Sequence, residues 1–253
     1  MSSSKQTTKV IVNGARGKMG TIACATIERH PDFVLAAAVT RDDNLAEIIL
    51  TTKAQIVIDL TSADCVYANS LIIISNGAHP IIGTSGLLTK QIAVLKQKCM
   101  KKKLGGIIVP NFSLSAILMM QFATEAARIL PAVEIIEAHH AQKIDAPSAT
   151  ARKTAEMIAK AQKITRSNLT TTPTNYPASR GELIDGIHIH SLRLPGVLAT
   201  QQVIFGNNGE TLTISHASID RTCFMPGLIL ACQRVQQLNS LYYGLEYLLK
   251  PPL

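Results

Sequence analysis

Residues 134–151, EIIEAHHAQKIDAPSATA, place two adjacent histidines, a lysine, an aspartate and a helix start in close succession. The run 133–137 is apolar and β-branched and reads as a strand, with His139 and His140 at its end and Lys143 just beyond. Asp145-Ala146-Pro147-Ser148 reads as a helix start, with Asp145 or Ser148 as the cap and Pro147 in the first turn. The helix then continues through Ala149 and Thr150 to about residue 162. An imidazole donates protons near neutrality, a lysine fixes an anion, and first-turn N–H groups bind one. Together they suit a small anionic substrate that must accept a proton. Singly, each has a plain structural use: a histidine at a strand end, a solvated loop lysine, an ordinary cap. Adjacent side chains on a strand point to opposite sides, so one of His139 and His140 at most faces any given site.

A second constellation lies near the N-terminus. The apolar strand 9–13 leads into Gly14-Ala15-Arg16-Gly17-Lys18-Met19-Gly20, and a helical pattern covers 18–29. Strand, glycine turn and helix form a dinucleotide-binding context, although the spacing is GxxGxxG rather than GxGxxG. The glycines admit a pyrophosphate close to the backbone, and the helix N-terminus faces its charge. A second strand, 33–39, ends at Thr40-Arg41. An acidic residue at that strand end accepts from the ribose 2′-OH and selects NAD. Thr40 stands there instead, with Arg41, Arg16 and Lys18 nearby to receive a 2′-phosphate, so NADPH is expected over NADH. Asp42 and Asp43 weigh the other way, since either could reach the ribose.

The elements that must position these groups alternate. A helix over 44–52 precedes a strand over 55–60 whose end, Thr61-Ser62, faces the cofactor in a doubly wound sheet. A helix over 62–76, a strand over 79–82 closing on Gly83-Thr84-Ser85-Gly86, a helix over 89–103 and a strand over 106–109 ending in Pro110-Asn111-Phe112-Ser113 follow. This is an α/β pattern with a parallel sheet. After Asn111 the pattern changes. A helix over 115–130 and the histidine strand are followed by a polar loop over 163–181. Strands over 187–193, 199–205 and 211–217 then read as an antiparallel block, making a second domain of α+β type. Helices over 227–238 and 241–249 close the chain. His188 and His190 share one strand face, but no carboxylate or cysteine nearby in sequence completes a zinc set with His139 and His140, so no metal is expected.

The chain has 253 residues and is 47% hydrophobic, enough for one large or two moderate cores, and with no Trp those cores are aliphatic. The net charge of +8 suits anionic small molecules as well as nucleic acid, but no aromatic interleaving points to nucleic acid. Lys96, Lys98 and Lys101 to Lys103 read as a solvated helix face. Five cysteines without metal spacing read as reduced thiols. The polar N-terminus lacks a signal peptide's apolar core, and no run approaches the roughly 20 apolar residues that span a bilayer, so a soluble cytoplasmic protein is expected.

The chain resembles the 4-hydroxy-tetrahydrodipicolinate reductase (dihydrodipicolinate reductase) family of bacterial diaminopimelate and lysine biosynthesis. The likeness rests on GARGKMG at 14–20, DLTS at 59–62, GTSG at 83–86, PNFS at 110–113 and above all EAHHAQKIDAPSATA at 137–151. It implies a Rossmann-like cofactor domain, residues 1–112 with 222–253, and a substrate-binding domain, 113–221, that builds a homotetramer through its sheet. It implies His139 as the catalytic acid, Lys143 assisting while holding one substrate carboxylate, His140 contacting substrate, and Ser148, Ala149 and Thr150 receiving the other carboxylate. The cofactor residues it implies are Gly14, Ala15, Arg16, Gly17, Lys18, Met19, Arg41, Gly83, Thr84, Ser85, Val109, Pro110, Asn111 and Phe112, beside Thr61. The chain departs from the family at Ala149, where Gly is usual, and at Thr40, where several members carry an acid. The stretch 41–59 is shorter than is typical, and Ala199-Thr200-Gln201 stands where Gly-Glu-His is frequent. Two rival readings are another two-domain NADPH-dependent reductase and a non-catalytic NADPH sensor.

Overall fold

Apolar runs too short for helices alternate with amphipathic stretches through the first half of the chain, and this alternation builds a parallel sheet covered by helices. The computed structural model describes residues 7–162 and 177–249. Its strands are β1 (Thr8–Asn13), β2 (Phe33–Val39), β3 (Ile56–Asp59), β4 (His79–Ile82), β5 (Gly106–Ile108), β6 (Ala132–His139), β7 (Glu182–Ile184), β8 (Ile187–Arg193), β9 (Ala199–Asn207), β10 (Glu210–Ser218) and β11 (Leu241–Tyr243). Its helices are α1 (Lys18–Arg29), α2 (Leu45–Thr52), α3 (Val66–Ser75), α4 (Thr89–Lys102), α5 (Leu114–Ala126), α6 (Ala149–Ala161), α7 (Met225–Arg234) and α8 (Glu246–Leu249). Two compact units result, 1–113 with 221–253, and 114–220.

In the first unit six strands pair in the order β11-β5-β4-β3-β1-β2, and every ladder is parallel. Val10, Ile11, Val12, Ile56, Val57, Ile58, Ile81 and Ile82 are fully buried, as a sheet covered on both faces requires. Each such side chain contributes about 1.5–3 kcal/mol of burial. The chain leaves β1 for β2 on one side, then returns to place β3 on the other. The carboxyl ends of β1 and β3 therefore form a switch point, where a ligand crevice opens. The edge strand β2 leads to β3 through the single short helix α2.

The expected C-terminal helix over 241–249 is not formed as such. Leu241–Tyr243 add a sixth parallel strand beside β5, and only Glu246–Leu249 are helical. Three apolar residues carry no decisive period, and the open edge of β5 decides the outcome. The helix expected from Ser62 begins at Val66.

The second unit holds a five-stranded sheet in the order β10-β9-β6-β8-β7. It is mixed rather than antiparallel: β6 and β8 run parallel, while the other ladders are antiparallel. The crossover between β6 and β8 contains α6, and a helical crossover returns a strand parallel to its start. In α6 the buried residues Ala151, Thr154, Ala155, Ile158 and Ala159 repeat at helical spacing and face the sheet. The expected loop over 163–181 lies outside the described residues as far as 176; Ala178–Arg180 form a turn of 3-10 helix before the unforeseen β7. Among the described residues no helix is long and apolar enough to cross a membrane.

Candidate active site

Strand β6 runs farther than its apolar core suggests and includes His139 as its last residue. Alternation places Ile135, Glu137 and His139 on the face that α6 covers, and Glu134 on the other. Nδ1 of His139 lies 2.5 Å from Oε2 of Glu137. Glu137 is wholly buried, yet its carboxylate is clamped by Arg193, with Nη2 to Oε1 at 2.9 Å and Nη1 to Oε2 at 3.1 Å. The backbone N–H of Ser148 adds a bond to Oε1 at 3.2 Å. Burial alone would raise the Glu137 pKa, but hydrogen bonds from His139, Arg193 and Ser191 outweigh it and hold the group ionised, down at about 2. An ionised carboxylate can only accept, so Nδ1 of His139 is the donor and Nε2 is left for other partners.

Beyond β6 the chain turns through Lys143, whose N–H donates to the His140 carbonyl at 3.0 Å. Lys143 Nζ grips both oxygens of Asp145 at 2.7 and 2.8 Å, and this lysine holds the Asp145 carboxyl below its ordinary range. The cap of α6 is Ser148, whose Oγ accepts from the Ala151 N–H at 3.2 Å. Pro147 precedes the cap instead of entering the first turn, joined to Ala146 by a cis peptide bond. Ser148 is buried, while Ala149 at the first helical position is exposed and needs no positive φ, so the Cβ that replaces the usual glycine hydrogen causes no backbone strain. No acidic residue occupies the first turn of α6, so no side chain of that turn neutralises the positive end of the helix dipole. Nδ1 of His140 is buried with no hydrogen-bond partner among the described residues. Glu137 thus joins His139 to the α6 start, and Arg193 joins both to the turn that carries Lys143, which His140 meets through its carbonyl. His188 and His190 stand beside Glu134 and Ile136 at the other end of β8, and His190 Nε2 lies 2.7 Å from Glu134 Oε2. Among the described residues no group of three or more His, Cys, Asp or Glu is placed to hold a metal.

The first unit carries a crevice at its switch point. Its walls include Asn13, Gly14, Arg16, Gly17, Arg41 and Thr61. Gly14 has φ +89°, and a Cβ there would meet the Leu60 carbonyl oxygen at 2.4 Å. Gly20 admits the turn above it, since a Cβ would stand 2.1 Å from the Gly14 carbonyl oxygen. Ala15 is tucked into this turn by its N–H bond to Val39. Helix α1 starts at Lys18 and Met19 with Gly17 as a cap that offers no side chain and no acid in the first turn. A bare helix start in a glycine cradle, flanked by Arg16, Lys18 and Arg41, fits the phosphates of a dinucleotide. Asp43 turns its carboxylate to the Thr40 N–H and hydroxyl, both at 2.8 Å, and Asp42 sits 4.0 Å from Arg16. Gly83, Thr84 and Ser85 follow β4, and Val109, Pro110, Asn111 and Phe112 follow β5, at the same end of the sheet but outside the walls of this crevice. The Phe112 ring packs over Gly83, where a Cβ would meet it at 2.7 Å.

Some groups escaped the sequence reading. Buried Asp59 gathers Thr84 Oγ1 at 2.6 Å, Thr61 Oγ1 at 2.7 Å, and the Asn13 and Asn69 amides at 3.0 Å. Thr61 and Thr84 are thereby tied to the sheet end. Glu137 lay inside the quoted motif without a role, and Arg193 carried no local signal.

A parallel sheet with a glycine-cradled crevice, joined in one chain to a mixed sheet bearing a carboxylate-supported histidine and a lysine, defines a two-domain oxidoreductase of the Rossmann class. The N- and C-terminal family models of dihydrodipicolinate reductase match residues 8–112 and 115–249. The chain belongs to the dihydrodipicolinate reductase family. It is 60% identical over 242 residues to a 4-hydroxy-tetrahydrodipicolinate reductase of Legionella pneumophila, covering 96% of this chain and 99% of that one. It is 52% identical over 240 residues to the Coxiella burnetii protein of the same name, covering 95% and 98%. The solved structure of a dipicolinate-bound dihydrodipicolinate reductase from Paenisporosarcina sp. TG-14 superposes with a TM-score of 0.84 at 36% identity, covering 96% and 99%.

Proposed function

We propose that this protein reduces 4-hydroxy-tetrahydrodipicolinate to tetrahydrodipicolinate, using NADPH in preference to NADH, as a cytoplasmic homotetramer assembled through its second sheet. The observation that carries the reading is the convergence of His139, Lys143 and the α6 start, with His139 seated on an ionised, buried carboxylate. Relatives over the full chain bear the name of this reaction.

Gly14 to Met19 and Arg41 hold the cofactor, with Thr61, Gly83 to Ser85 and Val109 to Phe112 completing its site. When bound, NADPH would supply a hydride to a ring carbon of the cyclic imine dicarboxylate, and the substrate's hydroxyl leaves as water, so that one hydride and one proton in are matched by NADP+, water and tetrahydrodipicolinate out. Lys143 exchanges Asp145 for one substrate carboxylate. The first-turn amides at Ala149 and Thr150, set in place by the Ser148 cap, receive the other. Holding the two carboxylates apart orients the ring. His139 gives its proton from Nε2 while Glu137 keeps Nδ1, and His140 contacts the ring edge. Asp43 is engaged with Thr40, so it competes less for a ribose hydroxyl; Arg41, and Arg16 on exchanging Asp42, receive a 2′-phosphate.

The test is nicotinamide oxidation with 4-hydroxy-tetrahydrodipicolinate generated in situ. Turnover that is faster with NADPH supports the reading. Tight NADPH binding without turnover favours the sensor, and turnover only with other imines or oxo acids favours a different reductase.

A further inference from the structure

Arg193 ends β8 and stands opposite His139 in the parallel ladder. Its side chain is 18% exposed. Besides straddling Glu137, its guanidinium donates from Nε to the Lys143 carbonyl at 3.2 Å, from Nη2 to the Asp145 carbonyl at 2.6 Å, and from Nη1 to the Leu192 carbonyl at 2.6 Å. The next residue, Leu194, donates its N–H to the His139 carbonyl at 3.0 Å. One planar fork therefore binds the carboxylate that orients His139 and the backbone on both sides of Ile144, in the turn that carries Lys143. A lysine has the charge but not the fixed fork, and cannot make these bonds together.

We infer that Arg193 is a positioning residue that sets the proton donor and the carboxylate-binding turn at a fixed separation, an assignment that rests on the roles proposed above for His139 and Lys143. Through Glu137 it fixes the imidazole; through two carbonyls it fixes the turn. Losing it frees both, and a displacement of about 1 Å between reacting groups costs about 10²-fold in rate. An arginine that merely held the fold together would change melting behaviour and leave turnover per folded molecule unaltered.

The experiment compares Arg193→Lys, Arg193→Ala and His139→Gln in the full-length protein. It measures kcat and KM, NADPH affinity, and the Kd of dipicolinate as a dicarboxylate probe. Arg193→Lys is expected to lower kcat about 10²-fold and weaken dipicolinate, with NADPH affinity unchanged. Arg193→Ala is expected to regain activity with added ethylguanidinium and not with ethylammonium. Wild-type kcat and dipicolinate affinity in Arg193→Lys would overturn the inference, as would a folded Arg193→Ala that ethylguanidinium does not rescue. Should Arg193→Ala not fold, Arg193→Lys decides alone. Full activity in His139→Gln would instead sink the underlying assignment of the proton donor. An inactive His139→Gln beside an unaffected Arg193→Lys sinks only the role of Arg193.

Discussion

Nδ1 of His139 lies 2.5 Å from Oε2 of Glu137, a carboxylate with no solvent exposure of its own. The pair fixes which ring nitrogen is available, because an ionised acceptor demands the Nδ1 proton. Replacing His139 by Gln keeps the approximate shape and a donor toward Glu137 but removes the proton that the proposed mechanism transfers. The expected loss is about 10²–10⁴ in kcat, with NADPH affinity unchanged. Steady-state rates alongside NADPH titration check this.

Lys143 is expected to behave differently. In its proposed role it would bind the ground state as well as the transition state, so Lys143→Met should raise KM and weaken dipicolinate, with kcat falling too. Its present partner is Asp145, which in that role would compete with a substrate carboxylate for the same ammonium. A KM unchanged in Lys143→Met would remove the lysine from the carboxylate site.

Glu137 makes stability depend on acidity. Its folded pKa of about 2 lies below its ordinary 4.5. A depressed carboxylate contributes stability in full above the unfolded value and loses it as the pH falls toward the folded one. Denaturant midpoints of the wild type should therefore drop between pH 4.5 and about 2 more steeply than those of Glu137→Gln. At neutral pH Glu137→Gln leaves the Arg193 charge without its carboxylate and should cost about 3–5 kcal/mol. Parallel acid limbs in the two proteins would contradict the ionised state.

The glycine cradle gives a prediction opposite to helix propensity. Gly20 lies inside α1, where Ala is ordinarily about 1 kcal/mol better. Here the added Cβ would stand 2.1 Å from the Gly14 carbonyl oxygen. Gly20→Ala should therefore lower the melting temperature and abolish NADPH binding together, while Ala149→Gly, at a position without strain, should leave dipicolinate affinity near wild type.

At the far side of the same crevice, Arg41→Ala should raise KM for NADPH and leave KM for NADH nearly unchanged, since only the former carries a 2′-phosphate. Equal losses with both cofactors would take Arg41 away from the 2′-phosphate.

The alternating strands and helices, the glycine turn and the cluster from His139 to Thr150 were legible in the chain because each is a local pattern. A strand end, a turn and a cap need only their neighbours to be recognised. Leu241–Tyr243 were not, since three apolar residues fit a helix as well as a strand until the edge of β5 is present. Nor was the parallel pairing of β6 with β8, which depends on α6 crossing over the sheet. The same limit hid Arg193. It is 56 residues from Glu137 in sequence and meets it only because those two strands lie side by side in register. The sequence by itself determined which groups could give a proton and hold a carboxylate. The tertiary structure decided which nitrogen of His139 is presented and what keeps Glu137 charged, because both follow from burial and from partners that only folding brings within hydrogen-bond reach.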